Sequence, residues 1–301
     1  MKVHVRVPAS SANLGPGFDS LGLALALHNE VTVEEADGVR VAVEGEGAGR
    51  LAANERNVVA RGVSAAYDAA GRRFPGCALT CVNRVPLSRG LGSSAAAWVG
   101  GLVAGNALLG SPLDRSTVLT LAARAEGHPD NVAAALLGGL TVSCGTPEGA
   151  RAVSLPVPDN LRWIALVPDI TSATAEARAV LPPSVPRAHA VFNVQRVALL
   201  LAALQAGRSD VLGVALDDRL HQPHRRRLFP WMPDVVAAAC RAGALGCVLS
   251  GAGPSMLAVA TGDEQATDKV ARAMEEALRA ARITGSARVL DVDSGGAVVM
   301  A

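Results

Sequence analysis

The sequence predicts an α+β fold, because segments typical of strands and of helices are mixed along the chain without strict β-α-β alternation. The chain has 301 residues, of which 50% are hydrophobic, enough for one large or two medium domains with a sizeable core. Alternating valine-rich segments indicate strands, and alanine-rich or apolar segments indicate helices.

The first half of the chain begins with strands and continues mainly with helices. Predicted strands lie at 3–7, 21–27, 31–35, 39–43, 77–85 and 140–144, and predicted helices at 57–70, 94–109, 114–125 and 131–137. Residues 144–158 are rich in glycine and proline and are the best candidate for a crossing between domains. We therefore expect domains at 1–150 and 151–301.

The second half mixes long and short helices with four strands. Predicted strands lie at 161–167, 246–250, 255–260 and 287–292, and predicted helices at 174–180, 188–206, 209–216, 233–242 and 264–281. Cys77, Leu79 and Cys81 lie on one face of a predicted strand, which favours core packing for both thiols.

The charge balance excludes several classes of partner. The 28 basic and 27 acidic residues give a net charge of +1, which argues against nucleic acid or an anionic membrane surface. The sequence has no uninterrupted run of 18 apolar residues, so we expect no transmembrane helix. Polar and apolar residues alternate in Met1–Val7, which is typical of a strand and not of a signal peptide. We expect a cytoplasmic protein. Lysine occurs only at positions 2 and 269, so a catalytic lysine is nearly excluded.

The most informative segment is Arg89–Ala97, with the sequence RGLGSSAAA, between a predicted strand and a helix. Glycines there let backbone N–H groups converge on a ligand, and the helix N-terminus favours an anion, most often a phosphate. The segment lacks the lysine of a P-loop. It matches the dinucleotide pattern G-x-G-x-x-[GA], but the acidic residue in range, Asp114, is more consistent with a helix cap. Ser93 and Ser94 either cap the helix or ligate Mg²⁺.

Three other segments carry polar residues in unusual density. Pro8–Asp19 is a long polar connection between strands, either a binding loop or a structural turn. In Glu126–Asn131 (EGHPDN), either Asp130 or Asn131 caps the helix that follows, or Glu126 and His128 serve as metal ligand and substrate contact. Ser250–Ser255 (SGAGPS) is either a plain hairpin turn or a support for the first loops.

In chain order, Pro8–Asp19, Arg89–Ala97, Glu126–Asn131 and Ser250–Ser255 together resemble the GHMP kinase superfamily. Pro8–Asp19 and Glu126–Asn131 are similar to the homoserine kinases of that superfamily. Residues 172–182 and 218–228 agree with that resemblance, which covers nearly the whole chain. It implies two α+β lobes, the first like ribosomal protein S5 domain 2 and the second ferredoxin-like. It also implies transfer of the γ-phosphoryl group of ATP to the hydroxyl of L-homoserine, in threonine biosynthesis, and a homodimer.

Other functions stay open at this stage. The nearest is a sister GHMP kinase that acts on mevalonate or a related small alcohol. A catalytically inactive binding protein of the same fold is a second alternative, and a nicotinamide-dependent oxidoreductase is a distant third. The resemblance favours an amino acid as substrate through Arg178, Arg225 and the loop that contains Asn13 and Asp19. A neutral polyol has no carboxylate for the arginines and no ammonium group for the loop.

The resemblance implies roles on the nucleotide side. Residues expected to bind ATP are Asn57, Pro86, Arg89, Gly90, Leu91, Gly92, Ser93, Ser94 and Ala95. Ser94 (or Ser93) and Glu126 are expected to bind Mg²⁺, which bridges phosphate oxygens. Asn57 is equally consistent with an N-cap of the helix that follows it.

The resemblance also implies roles on the substrate side. Arg178 and Arg225 are expected to bind the carboxylate of homoserine, Asn13 and Asp19 its ammonium and hydroxyl end, with His128 and Asn131 nearby. Thr174 faces the transferred phosphate or caps a helix. The residues expected to act in catalysis are Asn13, Asp19, Asp130, Asn131, Thr174 and Arg178. We expect the substrate hydroxyl to attack with little help from a dedicated base. If a base does act, Asp130 is the candidate.

Overall fold

The computed structural model of the protein describes residues 1–300 and contains two β-sheets. Strands of the first sheet are β1 (Lys2–Ala12), β2 (Leu21–Glu35), β3 (Gly38–Gly45), β4 (Gly76–Asn83), β5 (Leu140–Thr146), β6 (Gly149–Leu155) and β11 (Val298–Met300). The order is β11-β1-β2-β4-β3, with β5 paired to the beginning of β2 and β6 paired to β5. The β3–β4 pair is parallel, and the other pairs are antiparallel.

Four helices cover one face of the first sheet. They are α1 (Val58–Ala69), α2 (Ser93–Leu108), α3 (Arg115–Glu126) and α4 (Asp130–Leu137). The buried valines of β1, together with Val31 and Val33 of β2, pack against small residues of α2 and α4. Gly101 brings α2 close to α1, because a Cβ there would lie 2.2 Å from the Val59 carbonyl oxygen. The alanine- and glycine-rich sequence of α2 therefore allows this helix to pack tightly against α1.

The second sheet has the ferredoxin-like topology. It contains β7 (Leu161–Pro168), β8 (Gly246–Leu249), β9 (Met256–Thr261) and β10 (Gly285–Leu290), in the antiparallel order β10-β7-β9-β8. With α9 (Met232–Ala242) and α10 (Glu264–Ala280), the chain order is β-α-β-β-α-β. This confirms the predicted α+β class and the ferredoxin-like second lobe.

A helical insertion separates β7 from α9. It comprises α5 (Thr174–Ala179), α6 (Arg187–Ala206), a 3₁₀ turn at 209–211, α7 (Leu212–Ala215) and α8 (Gln222–Arg225). β7 is buried on both faces: Ile164 and Leu166 pack with α9 and α10, whereas Trp163 and Ala165 pack with α6 and the first lobe. This second core joins the lobes, since it also contains Leu14, Leu21 and Leu91.

Several predicted boundaries were wrong. The strand predicted at 3–7 runs to Ala12, so Ser10 and Ser11 lie in a buried strand rather than in a loop. The strands predicted at 21–27 and 31–35 are one strand, because the polar residues between them keep an extended backbone beside β1 and β4.

Three elements were missed. The stretch predicted as a domain crossing contains the end of β5 and the whole of β6, and the chain passes to the second sheet between Leu155 and Leu161. The division into 1–150 and 151–301 stays a prediction. β11 returns to the first sheet beside β1, and α8 is a single turn. Among residues 1–300, no helix has the length and hydropathy needed to span a membrane.

Candidate active site

A pocket between the two lobes brings together most of the predicted site residues. Those that line it are Asn13, Asp19, Arg89, Gly90, Gly92, Ser93, Ser94, Glu126, His128, Asp130, Asn131, Thr174, Arg178 and Arg225. An adjoining pocket, which shares Ser88, Ser93 and Ser94 with it, is lined by Asn57 and by apolar side chains of the first lobe. Pro86, Leu91 and Ala95 line neither pocket and are buried.

The glycine loop, residues 89–94, contacts both lobes at the start of α2. Gly92 is the N-cap residue in a left-handed conformation, with φ +68°, and a Cβ there would lie 2.0 Å from Ser10 Oγ. The alternative that Ser93 or Ser94 caps the helix is wrong, because Gly92 occupies the cap position and makes no side-chain capping bond. The N–H groups of the first turn therefore remain available to an anion.

The segment Ser250–Ser255 supports this loop. The Ser250 hydroxyl donates to the Gly90 carbonyl at 2.6 Å and shares a hydrogen bond with the Ser11 hydroxyl at 2.8 Å. Asn13 Nδ2 donates to the Gly251 carbonyl at 2.9 Å. The supporting role is therefore favoured over a plain hairpin turn.

Arg178 and Asp19 form a two-point ion pair across the pocket. Nη1 of Arg178 donates to Asp19 Oδ2 at 3.0 Å, and Nη2 donates to Oδ1 at 2.7 Å. The hydrogen bonds that Arg178 donates to Asp19 raise the pKa of Arg178 above its usual range, against the effect of burial. A strong cation and a strong anion thus stand side by side in the pocket.

Arg225 is a second, fully buried cation close to this pair. Its Nε donates to the Ala177 carbonyl at 3.2 Å, and its Nη1 donates to the Gly251 carbonyl at 2.9 Å. Burial, followed by the positive charge of Arg178, lowers the pKa of Arg225 to about 10. The two guanidinium groups therefore place two positive charges at the pocket, beside the carboxylate of Asp19.

Sequence reasoning missed the residues that hold Arg225 in place. His221 accepts a hydrogen bond from Arg225 Nη1 at its Nδ1 (3.1 Å) and donates from Nε2 to the Gly15 carbonyl (2.8 Å). The Phe18 ring stacks on His221 at 5.2 Å and lies near both guanidinium groups. An aromatic residue inside a polar, glycine-rich loop was the available signal for Phe18.

Asn193 and Asp218 extend this network to α6. Asn193 Nδ2 donates to Asp218 Oδ1 at 2.8 Å and to the Pro16 carbonyl at 2.9 Å. Burial favours the neutral form of Asp218, but the neighbouring His221, the Asn193 amide and backbone N–H donors outweigh it and lower its pKa. The network ties the loop at residues 13–19 to the second lobe.

Ser94 and Glu126 meet at the mouth of the pocket. The Ser94 hydroxyl donates to Glu126 Oε2 at 2.8 Å, which joins the first turn of α2 to the last residue of α3. A hydroxyl and a carboxylate at this distance are oxygen ligands of the kind that Mg²⁺ prefers.

His128 and Asp130 form a second polar pair, with His128 Nδ1 2.6 Å from Asp130 Oδ1. Asp130 is the first residue of α4 and Pro129 is its N-cap, so the alternative that Asp130 or Asn131 caps the helix is wrong. Asn131 Oδ1 accepts a hydrogen bond from Ser10 Oγ at 2.9 Å. The pair therefore lies at the beginning of α4, with Asp130 on the helix and His128 two residues before it.

The two remaining predicted residues differ in their capping roles. Asn57 is the N-cap of α1, since its Oδ1 accepts from Val59 N at 2.9 Å, and it also lines the adjoining pocket. Thr174 begins α5 after the N-cap Ala173, so its predicted alternative as a cap is wrong. Asp114 caps α3 as predicted.

The two-lobe fold and the glycine-rich turn before α2 agree with the family models that this chain matches, which are those of the GHMP kinases. Residues 57–139 match the family of GHMP kinase N-terminal domains, and residues 200–286 match the GHMP kinase C-terminal family.

Comparison with known proteins narrows the class. The chain is 42% identical to a homoserine kinase of Desulfitobacterium hafniense over 298 residues, 99% of this chain and 100% of the relative. It is 50% identical to a homoserine kinase of Gloeobacter violaceus over 259 residues, 85% and 86% of the two chains. The crystal structure of homoserine kinase from Cytophaga hutchinsonii superposes with a TM-score of 0.90 at 34% identity, covering 99% of this chain and 97% of the other. The chain belongs to the homoserine kinase family.

Proposed function

We propose that the chain transfers the γ-phosphoryl group of ATP to the side-chain hydroxyl of L-homoserine and forms O-phospho-L-homoserine, in threonine biosynthesis. The observation that carries this proposal is the position of the Asp19–Arg178 pair, with Arg225 behind it, in the same pocket as the glycine loop. An amino acid brings a carboxylate for the arginines and an ammonium group for Asp19. A mevalonate-type substrate has no ammonium group to satisfy Asp19.

On the nucleotide side, the glycine loop provides donors that suit phosphate groups. Arg89 Nε and Ser172 Oγ are buried at the pocket and have no hydrogen-bond partner among the described residues. Both are unsatisfied donors that phosphate oxygens would satisfy, in addition to the N–H groups at the start of α2. The adjoining pocket beside Asn57 suits the base of the nucleotide, because it is largely apolar and opens at Ser93 and Ser94.

The oxygen atoms of Ser94 and Glu126 fit a magnesium ion. When bound, Mg²⁺ would neutralise charge on the β- and γ-phosphate oxygens. The chain's own residues position the reactants: the arginines and Asp19 orient the amino acid, and the loop at residues 250–255 fixes the glycine loop against β1. Phosphoryl transfer depends mainly on such positioning and on stabilisation of charge.

We also propose that the enzyme works as a homodimer in the cytoplasm. An exposed face of α6 supports the dimer, because Val191, Val194 and Leu199 are 49%, 69% and 37% exposed. The five cysteines are all free, which suits a reducing compartment.

The test is ADP release in the presence of Mg²⁺ with L-homoserine, L-threonine, mevalonate or galactose as the acceptor. We expect turnover that depends on L-homoserine and stops when a chelator removes the metal. Turnover with mevalonate instead would keep the fold class and overturn the substrate. Binding of ATP without turnover of any acceptor would favour a binding protein.

A further inference from the structure

Phe18 is an aromatic residue whose surroundings are polar rather than apolar. It is half-buried, and the three apolar clusters found among residues 1–300 do not include it. Its ring instead stacks on the ring of His221, with the centroids 5.2 Å apart and the planes inclined by 23°. Packing in an apolar core therefore does not explain why an aromatic side chain lies here.

Two cations lie beside the Phe18 ring. The Cζ atoms of Arg178 and Arg225 are 5.6 and 5.5 Å from its centroid, within the distance at which an aromatic face attracts a guanidinium group. His221 is not a third cation near pH 7, because burial lowers its pKa to about 4. One ring thus lies beside both arginines that line the pocket.

The like charges of the two arginines oppose each other. The positive charge of Arg178 contributes to the lowered pKa of Arg225, so repulsion acts between the two groups. Arg225 is fixed by hydrogen bonds to the Ala177 and Gly251 carbonyls, whereas the side chain of Arg178 donates only to Asp19 among the described residues. An aromatic ring that attracts both cations reduces their tendency to move apart.

The backbone beside Phe18 is tied to Arg225 through Asn13. Asn13 Oδ1 accepts a hydrogen bond from the backbone N of Asp19 at 3.0 Å. Asn13 Nδ2 donates to the Gly251 carbonyl, which is the same oxygen to which Arg225 Nη1 donates. These bonds hold the segment that carries the ring against the residue that fixes Arg225.

We propose that Phe18 is a positioning residue for the substrate carboxylate: its ring holds Arg178 and Arg225 beside the pocket and so sets the preference for an alcohol that bears a carboxylate. This inference rests on the proposed function. When the substrate ammonium group approaches Asp19 and the carboxylate approaches Arg178, the hydrogen bonds between these two side chains are exchanged. The Phe18 ring has no hydrogen bond to lose, so its attraction for Arg178 persists during the exchange.

Phe18→Leu tests the proposal, because leucine keeps an apolar side chain but has no aromatic face. We expect kcat/KM for L-homoserine to fall ~10-fold, mainly through KM, while kcat and the KM for ATP stay within about threefold of wild type. Phe18→Tyr keeps the ring and should stay within about threefold of wild type in all of these constants. A fall of less than about twofold in Phe18→Leu would overturn the proposal.

Propanolamine, which is homoserine without its carboxyl group, separates positioning of the carboxylate from a general structural role. It has an ammonium group for Asp19 but no carboxylate for the arginines. Its inhibition constant against L-homoserine should therefore change by less than about twofold in Phe18→Leu. An equal weakening of homoserine and propanolamine would mean that loss of the ring disturbs the whole pocket, and the assignment would be wrong.

The combination of Phe18→Leu with Arg178→Gln decides the same question without an analogue. If the ring acts through Arg178, Phe18→Leu should lower kcat/KM by a smaller factor in the Arg178→Gln background than in the wild type, because residues in contact are coupled. Equal factors in the two backgrounds would mean that the ring acts independently of Arg178, contrary to the proposal.

Phe192→Leu is the matched control. Phe192 lies on α6 outside the pocket, with the Cζ atoms of Arg196 and Arg219 at 3.8 and 4.0 Å from its ring centroid. The variant removes a ring beside two arginines at another place in the fold, so its kinetic constants should match those of the wild type. A loss equal to that of Phe18→Leu would contradict a specific role for Phe18.

Failure of the proposed function looks different, since wild-type protein would then show no turnover of L-homoserine at all. Urea unfolding checks that Phe18→Leu is folded. If it is not, Phe18→Met takes its place, with the same expected ~10-fold fall in kcat/KM and the same limit of about twofold below which the proposal is wrong.

Discussion

Arg178 and Asp19 hold each other by two parallel hydrogen bonds, at 3.0 and 2.7 Å, although they lie 159 positions apart and belong to different lobes. The two side chains are 37% and 35% exposed. Each partner carries the charge that one end of an amino acid would satisfy. A zwitterion can therefore replace this single pair by two pairs, carboxylate with Arg178 and ammonium with Asp19.

Loss of either partner should impair substrate binding far more than folding. We expect Arg178→Gln and Asp19→Asn each to raise the KM for homoserine ~10²-fold, because a charged group of the bound substrate is left unpaired. The free energy of unfolding should change by less than ~1 kcal/mol, as is usual for a partly exposed ion pair. Initial rates and urea unfolding measure the two effects.

The double variant is the control for this interpretation. If the two residues hold opposite ends of the substrate, the double variant should raise the KM further than either single variant does, although the two effects need not add fully because the side chains contact each other. An unchanged KM together with a loss of stability of several kcal/mol would instead make the pair purely structural.

Loss of Arg225, unlike loss of Arg178 or Asp19, should lower the stability of the fold as well as weaken substrate binding, because Arg225 is buried. Arg225→Ala removes the side-chain donor to the Ala177 carbonyl and one of the two donors to the Gly251 carbonyl, so we expect a loss of ~2–4 kcal/mol in the free energy of unfolding. The KM for homoserine should also rise. Urea unfolding and initial rates test both expectations.

The neighbouring Arg226 is the matched control for Arg225. It is exposed, so Arg226→Ala should stay within about 0.5 kcal/mol of wild type and leave KM unchanged. Equal effects of the two variants would mean that the sequence match selected the wrong arginine of the run.

The fold was predictable wherever a local pattern determined the element. Asp114 and Asn57 cap their helices as their side-chain chemistry suggests, and Cys77 and Cys81 are buried together on one face of β4. The long β2 was not predictable, because its polar centre, His28-Asn29-Glu30, resembles a turn. Only pairing with β1 and β4 on either side keeps that segment extended.

The site residues could be proposed from motif resemblance, but their pairings could not. The hydrogen bond between Ser250 and Gly90 joins positions 160 residues apart. No local pattern specifies such a contact, because it depends on how the second lobe packs against the first. His128 and Asp130 are the exception, because they lie only two positions apart and a contact between their side chains is compatible with that spacing.

The glycine loop offers a sharp test of close packing. Gly92→Ala requires a left-handed alanine and places its Cβ 2.0 Å from Ser10 Oγ, so the loop must move away from β1. We expect ATP to bind at least ~10-fold more weakly, since the donors at the start of α2 lose their alignment. Calorimetric titration with ATP measures the affinity.

Gly110→Ala is the control for backbone strain alone. Its φ of +80° imposes a similar conformational penalty, but no atom lies within 4 Å of the added Cβ. This variant should lose about 1–2 kcal/mol of stability and keep the affinity for ATP. A similar fall in affinity in both variants would show that lowered stability, rather than the contact with Ser10, weakens binding.

His221 should make the protein sensitive to acid in a definite pH window. The ring is fully buried, and this burial lowers its pKa from 6.5 to about 4. The negative charge of Asp218 raises the pKa and the positive charge of Arg225 lowers it, but burial is the larger effect. Since the pKa of His221 in the folded protein lies below its value in the unfolded chain, the unfolded chain binds a proton on this ring between about pH 6.5 and 4, whereas the folded protein does not. The contribution to stability is complete above pH 6.5 and is lost as the pH falls towards 4.

His221→Gln removes this titration and keeps an N–H donor for the Gly15 carbonyl. We expect lower stability at pH 7, because Arg225 loses an acceptor, but a smaller dependence on pH between about 6.5 and 4.5. For one proton the difference in slope is at most ~1.4 kcal/mol per pH unit. Urea unfolding across that range gives the slopes, and His189→Gln, a half-buried histidine on α6, should retain the wild-type slope. Equal slopes in wild type and His221→Gln would mean that the buried ring does not carry the acid sensitivity.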